Sequence, residues 1–164
     1  NIDVDSEGVE IEGLWQLNEP WRIEGGAVYA ESINASEKYT LAQAPKWTAN
    51  IGVIYDNPLF DSGFKIRIGS YLHYRDLMVG QLDETFPSDS LTTLDMSFAI
   101  YDAQKTWHIS LIGQNLTNDV SADFTSSPAP PMAVLFGAPI GDQGVTVEGP
   151  GQLRTVKLQA RYYF

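Results

Sequence analysis

The chain has no cysteine. That excludes a disulfide framework and thiolate chemistry. Basic residues are also few: 10 Lys and Arg stand against 21 Asp and Glu, for a formal net charge of −11. A nucleic-acid partner needs Lys and Arg clustered on one face, so no nucleic acid is expected. No run approaches the roughly 18 consecutive apolar residues of a transmembrane helix. A membrane β-barrel leaves no such run either, because its apolar residues alternate with polar ones. Helical periodicity is nearly absent, and no signal peptide is visible.

The signatures of catalysis are missing too. There is no G-x-S-x-G, P-loop or dinucleotide fingerprint. Glu10 and Glu12 share a strand face, but neighbours at that spacing with no perturbing environment do not make an acid/base pair. An enzyme is therefore not expected. Asp3, Asp5, Glu7 and Gly8 fit the first half of a calcium loop, yet Leu14 stands where its bidentate Glu is needed. His73 and His108, the 2 histidines of the chain, lack a cluster of ligands at zinc spacing. No metal and no cofactor are expected.

What is present is alternation. The chain ends on Thr155–Phe164, with Val156, Leu158, Ala160, Tyr162 and Phe164 on one face and Thr155, Lys157, Gln159, Arg161 and Tyr163 on the other. Chain ends usually fray in solvent, whereas this one keeps a strand pattern to its last residue. The same period-2 pattern predicts six earlier strands, at about Gly8–Leu17, Trp21–Ala30, Lys46–Tyr55, Phe64–Arg75, Leu91–Ile100 and Thr106–Asn115. The connections alternate: short at Asn18–Pro20, Asp56–Gly63 and Asp102–Lys105, long at Glu31–Pro45, Asp76–Ser90 and Leu116–Gln152. Transmembrane β-barrels are built this way, with tight turns at the periplasmic end and long loops outside.

The aromatics support that reading. All 4 Trp lie on the apolar parity near strand ends. Trp15, Trp21, Tyr55, Phe64, Trp107, Tyr162 and Phe164 border the short turns or the terminus, while Tyr29, Trp47 and Tyr74 border the long loops. Aliphatic residues fill the space between. Amphipathic rings prefer the membrane–water interface, so two aromatic girdles would bracket an aliphatic band. The fold class expected is all-β, an antiparallel transmembrane β-barrel portion of about seven strands. A soluble β-sandwich binding module would instead bury its Trp in a core.

The segment Leu111–Asp119 (LIGQNLTND), a long loop, and Arg154–Phe164 (RTVKLQARYYF) together resemble the C-terminus of TonB-dependent outer-membrane receptors. Asn115-Leu116-Thr117-Asn118 matches the stretch that closes the penultimate strand, although Leu153 replaces the usual Pro before Arg154. Gly8–Leu17 and Ala44–Tyr55 are also similar to late-barrel strands of the family. The resemblance implies a large barrel of the 22-stranded type, plugged by an N-terminal domain. No plug or TonB box is found here. Seven strands also leave open edges that lipid does not tolerate. Residues 1–164 are therefore expected to be the C-terminal barrel segment of such a receptor.

By the same resemblance the protein works in the bacterial outer membrane, with its C-terminus periplasmic. It takes up a scarce nutrient such as a metal–chelator complex, a siderophore being one kind. Its partners are the TonB energy-coupling complex, reached through the missing N-terminal part, outer-membrane lipid, and an extracellular small-molecule ligand. The barrel-assembly machinery reads the last strand, with Tyr162 and Phe164 as its signal. The alternative is a small standalone outer-membrane barrel with a structural or adhesive role. It needs an eighth strand, and the segment before Gly8 is too polar to supply one.

The polar parity carries Arg22, Lys65, Arg67, Arg75, Lys157 and Arg161 against Glu10, Glu12, Glu24 and Asp95. Charges of this kind pair across strands as a matter of course. The second reading is a path for an anionic ligand, with Arg67, His73 and Arg75 as contacts. Loops carry barrel function, and Leu116–Gln152 offers Phe124, Met132 and Phe136 as further ligand contacts, or simply caps the barrel.

Overall fold

In the computed structural model the described residues are 3–36, 40–41, 44–78, 88–104, 106–121, 124–126, 147–149 and 152–163. The strands are β1 (Val4–Asn18), β2 (Trp21–Asn34), β3 (Trp47–Pro58), β4 (Phe64–Arg75), β5 (Leu91–Asp102), β6 (Trp107–Gln114), β7 (Phe124–Ser126), β8 (Val147–Gly149) and β9 (Thr155–Tyr162). Among the described residues there is no helix. Seven strands form one antiparallel sheet in the order β1-β2-β3-β4-β5-β6-β9, and β7 and β8 form a separate hairpin. Short turns gather at one end of the sheet and long connections at the other, as expected from the sequence.

Several strand boundaries differ from those the alternation gives, β5 for example running on to Asp102. β1 begins at Val4 and β2 runs to Asn34, because their ladder continues to a Val4–Asn34 pair. The Ser6 and Ser32 hydroxyls bond at 2.9 Å, and Ala35 N–H donates to the Asp3 carbonyl at 2.9 Å. Alternation reports which face is apolar, whereas pairing serves backbone groups wherever two chains run together. β3 likewise runs on to Pro58, which pairs with Lys65 at the strand end. A further difference is the β7–β8 pair, which lies inside the segment Leu116–Gln152 read as loop.

Packing is inverted relative to a soluble domain. On the apolar face Val9, Ile11 and Leu158 are 71%, 69% and 77% exposed, and Trp15, Ile51 and Leu111 are exposed as well. The buried hydrophobic residues among those described are Ile54, Met78, Ala99 and Tyr101, and all but Met78 sit on the polar parity of their strands. Burial in the sheet therefore falls on the polar face of its central strands, while the apolar face is presented outward. A sandwich does the reverse. Each large aliphatic or aromatic side chain left in water forgoes about 1.5–3 kcal/mol of burial. Repeated over a whole sheet face, that cost selects an apolar surrounding.

The aromatic girdles form as contacts. At the short-turn end Trp21 packs on Tyr55 at 4.8 Å between centroids, and Phe64 on Trp107 at 5.3 Å. At the long-connection end Tyr29 packs on Trp47 at 4.9 Å. Their tilts of 56°, 60° and 49° suit ring quadrupoles better than a face-to-face stack. The short turns are tied down locally. Gly63 takes φ 76° in the β3–β4 turn, and its carbonyl accepts from Ala103 N–H of the neighbouring β5–β6 turn at 3.1 Å. Asp102 Oδ1 accepts from Trp107 N–H at 2.9 Å across that second turn. β1 and β9 each have one strand neighbour, so the sheet stays open at both edges.

Candidate functional site

The polar face divides into three levels. Nearest the short turns, the register sets Asp56 of β3 opposite Arg67 of β4. Arg67 Nε and Nη2 donate to Asp56 Oδ2 at 2.8 and 2.5 Å, and the Tyr101 hydroxyl donates to Oδ1 at 2.6 Å. The guanidinium also lies 6.0 Å from the centre of the Tyr101 ring, within cation–π range. Beside this triad is a recess of about 350 Å³ lined by Arg67, Tyr101, His108, Ser110, Gln159 and Tyr163. Arg67 is thus engaged by a carboxylate on the adjacent strand.

At mid-height Tyr71 of β4 crosses β3. Its hydroxyl donates to Glu24 Oε1 of β2 at 2.8 Å, and Glu24 Oε2 lies 3.2 Å from Arg22 Nε. Gly52 opposes Tyr71, and a Cβ there would stand 2.4 Å from the ring. His73, one pleat above, stacks on Tyr71 at 6.3 Å and 10°.

At the mouth the long connections are knitted to the strand ends. Arg75 Nη2 donates to the Ser121 hydroxyl at 3.3 Å, which donates in turn to the Asp89 carbonyl at 2.8 Å. Asp119 Oδ2 accepts from Thr92 N–H at 2.7 Å. On the β2 side Lys46 Nζ bonds Glu31 at 2.6 Å, and that charged hydrogen bond holds the Lys46 ammonium above its ordinary range.

The densest bonding surrounds Asn115, directly after β6. It is 1% exposed and has φ 48°, a left-handed conformation that Asn tolerates better than most residues. Its Nδ2 donates to the Asp119 carbonyl at 2.9 Å and to the Gln152 carbonyl at 2.6 Å. Its Oδ1 accepts from Thr117 Oγ1 at 2.9 Å and Asp119 N–H at 3.2 Å. Its backbone N–H donates to Asp95 Oδ1 at 2.8 Å. The carboxamide has two donors and two acceptor positions, and all are used.

The expected site residues fall in different places. Arg67 lies near the short turns and Arg75 at the mouth. At ~3.3 Å per strand residue they are ~26 Å apart along β4, too far to hold one small ligand together. His73 and Arg75 share the mouth half of the wall. His73 pairs with Thr93 and His108 with Tyr101, a similar separation along β5, so the two histidines cannot share a metal. Among the described residues no group of three or more His, Asp or Glu could hold one. Phe124 opens β7. Met132 and Phe136 lie outside the described residues, as does Phe164. Tyr162 pairs with Trp107 on the apolar face at the short-turn end.

Residue types alone did not point to Asp56, Tyr71 or Asn115. For Tyr71 the signal was Gly52, a vacant position in an otherwise filled strand. For Asn115 it was the Asn-Leu-Thr-Asn stretch, whose bonding the letters do not reveal.

Comparison with known proteins agrees with this architecture. None of the curated proteins compared with the chain matches it. Among solved structures, the ferric yersiniabactin uptake receptor FyuA from Yersinia pestis superposes with a TM-score of 0.80 at 16% sequence identity. The match covers 98% of this chain and 24% of that one, so the chain spans about a quarter of that receptor's length. The family model described as TonB dependent receptor-like, beta-barrel, matches residues 1–116. An open sheet with an apolar outer face, a polar wall and knitted mouth loops is what a sector of such a barrel requires, and the chain belongs to the TonB-dependent receptor-like β-barrel family.

Proposed function

We propose that residues 1–164 are the C-terminal strands of an outer-membrane receptor that takes up a scarce nutrient, such as a metal–chelator complex. The observation that carries this is the inverted sheet, open at both edges, that overlays 24% of the FyuA chain. The missing strands and a plug come from the rest of a longer protein, and the apolar face meets outer-membrane lipid. The external loops capture ligand, with His73 and Arg75 on the mouth wall and Phe124, Met132 and Phe136 of the long connection as further contacts. Arg67, paired with Asp56, is a wall residue below that level. TonB supplies energy through the N-terminal part, and the plug moves to admit the ligand. No residue here performs covalent chemistry; the work is binding and passage. The final strand runs to a periplasmic terminus, where Tyr162 and Phe164 present its end to the barrel-assembly machinery.

Two measurements test this. An antibody to Arg154–Phe164, applied to an outer-membrane fraction, is expected to detect a protein several times larger than 18.1 kDa. A membrane band at 18.1 kDa would favour the small standalone barrel and remove the transport reading. Uptake of radiolabelled ferric chelates, ferric yersiniabactin included, is expected to fall when the gene is deleted and to return on complementation. Unchanged uptake of every chelate in the panel would remove iron chelates from the ligand class.

A further inference from the structure

The two bonds donated by the Asn115 carboxamide go to opposite stems of one excursion. Asp119 lies on the outgoing stem just before β7, and Gln152 on the returning stem just after β8. Both acceptors are backbone carbonyls, so their identity does not depend on the side chains there. The same residue is fixed from below, because its N–H is held by Asp95 of β5. Around it Leu116 N–H donates to the Leu94 carbonyl at 2.7 Å. The β5 strand and the two stems thus meet at Asn115, β5 through the backbone and the stems through its buried carboxamide.

We infer that Asn115 is a positioning residue for the β7–β8 hairpin: Asp119 and Ser121 also tie the outgoing stem to β5 and its flank, but the Asn115 carboxamide bonds both stems, joining the returning stem to the outgoing one at the end of β6. Both features of the side chain are needed. The left-handed φ admits Asn, Asp or Gly. Two N–H donors facing two carbonyls admit only an amide. Asp at this position keeps the backbone conformation and the acceptor oxygens, but turns a carboxylate oxygen toward two carbonyls. Gly keeps the conformation and offers the stems nothing.

The inference rests on the transport reading only for why hairpin position matters to the receptor; the position itself is measurable without ligand. Spin labels are placed through Thr125→Cys on β7 and Ser90→Cys beside β5 in the full-length receptor, in native outer membranes. This segment has no cysteine of its own to compete. With Asn115 present, the inter-label distance distribution is expected to be narrow. In Asn115→Asp and in Asn115→Gly it is expected to broaden and shift, while the barrel remains folded by its heat-modifiable mobility on gels. A folded variant with the parent distribution would overturn the inference. So would failure of both variants to fold, since Asn115 would then be a determinant of barrel formation rather than of hairpin position. Ferric-chelate uptake, followed in parallel, separates the two claims: absence of uptake in the parent removes the transport reading and leaves the distance result standing.

Discussion

The Tyr71 hydroxyl on β4 donates to Glu24 Oε1 on β2 at 2.8 Å, reaching over the strand between them. The crossing is possible because β3 carries Gly52 opposite Tyr71. The ring occupies the volume a side chain would take, with a Cβ at Gly52 placed 2.4 Å from it. Three strands are thereby coupled on the polar face by one aromatic residue.

Gly52→Val is expected to expel the Tyr71 ring and destabilise the barrel by about 1–3 kcal/mol, the usual cost of overpacking. Tyr71→Phe keeps the ring and loses one bond to the partly exposed Glu24 carboxylate, costing about 1.5 kcal/mol, the low end for a charged partner. Urea midpoints of the receptor refolded in liposomes check both values. Equal midpoints for Gly52→Val and the parent would mean that the ring does not lie over Gly52.

Asp56 joins Arg67 and Tyr101, so its removal leaves two donors without their shared acceptor. The ion pair is substantially exposed, with 56% of the Arg67 side chain accessible, and is worth about 0–1 kcal/mol by itself. The enclosed Tyr101 bond carries more of the effect. A double-mutant cycle of Asp56→Ala with Tyr101→Phe is expected to show coupling of about 0.5–2 kcal/mol. The same cycle with Arg67→Ala should show less. Additivity in both cycles would contradict the triad.

Faces can be tested by moving one charge across one pleat. Ile51 stands on the exposed apolar face, and Asn50 beside it points to the wall opposite His73. Ile51→Arg is expected to cost about 2–4 kcal/mol in a bilayer, while Asn50→Arg is tolerated. Folding yield into liposomes measures both. Comparable yields for the two variants would deny the lipid contact of the Ile51 face.

The four tryptophans, Trp15, Trp21, Trp47 and Trp107, should report interface depth. Lipids brominated near the headgroup are expected to quench their fluorescence more than lipids brominated at the chain ends, because amphipathic rings sit at the boundary. Stronger quenching by the deep label would place the rings in the hydrocarbon and dissolve the girdles.

Much of this protein is written in one dimension. Alternation from Trp21 to Tyr29, and from Phe64 to Tyr74, assigned each residue to a face, because side chains of a strand must point to opposite sides. The short connections fixed three antiparallel pairs, β1–β2, β3–β4 and β5–β6, since a short turn can only join adjacent strands, and the folded sheet set those pairs side by side in chain order. The aromatics at the strand ends marked the two interfaces.

Tertiary structure decided what depends on register and reach. Whether Arg67 faces a ligand or Asp56 depends on which residues stand opposite across β3 and β4, and alternation leaves the pairing offset open by any even number of residues. That β1 and β2 continue past Gly8 and Ala30 follows from backbone pairing, to which hydropathy is blind. Asn115 is the clearest case. The letters Asn-Leu-Thr-Asn resembled the stretch that closes the family's penultimate strand, but Gln152 lies far along the chain. Only the folded sheet, by bringing β9 beside β6, places that carbonyl within reach of the amide.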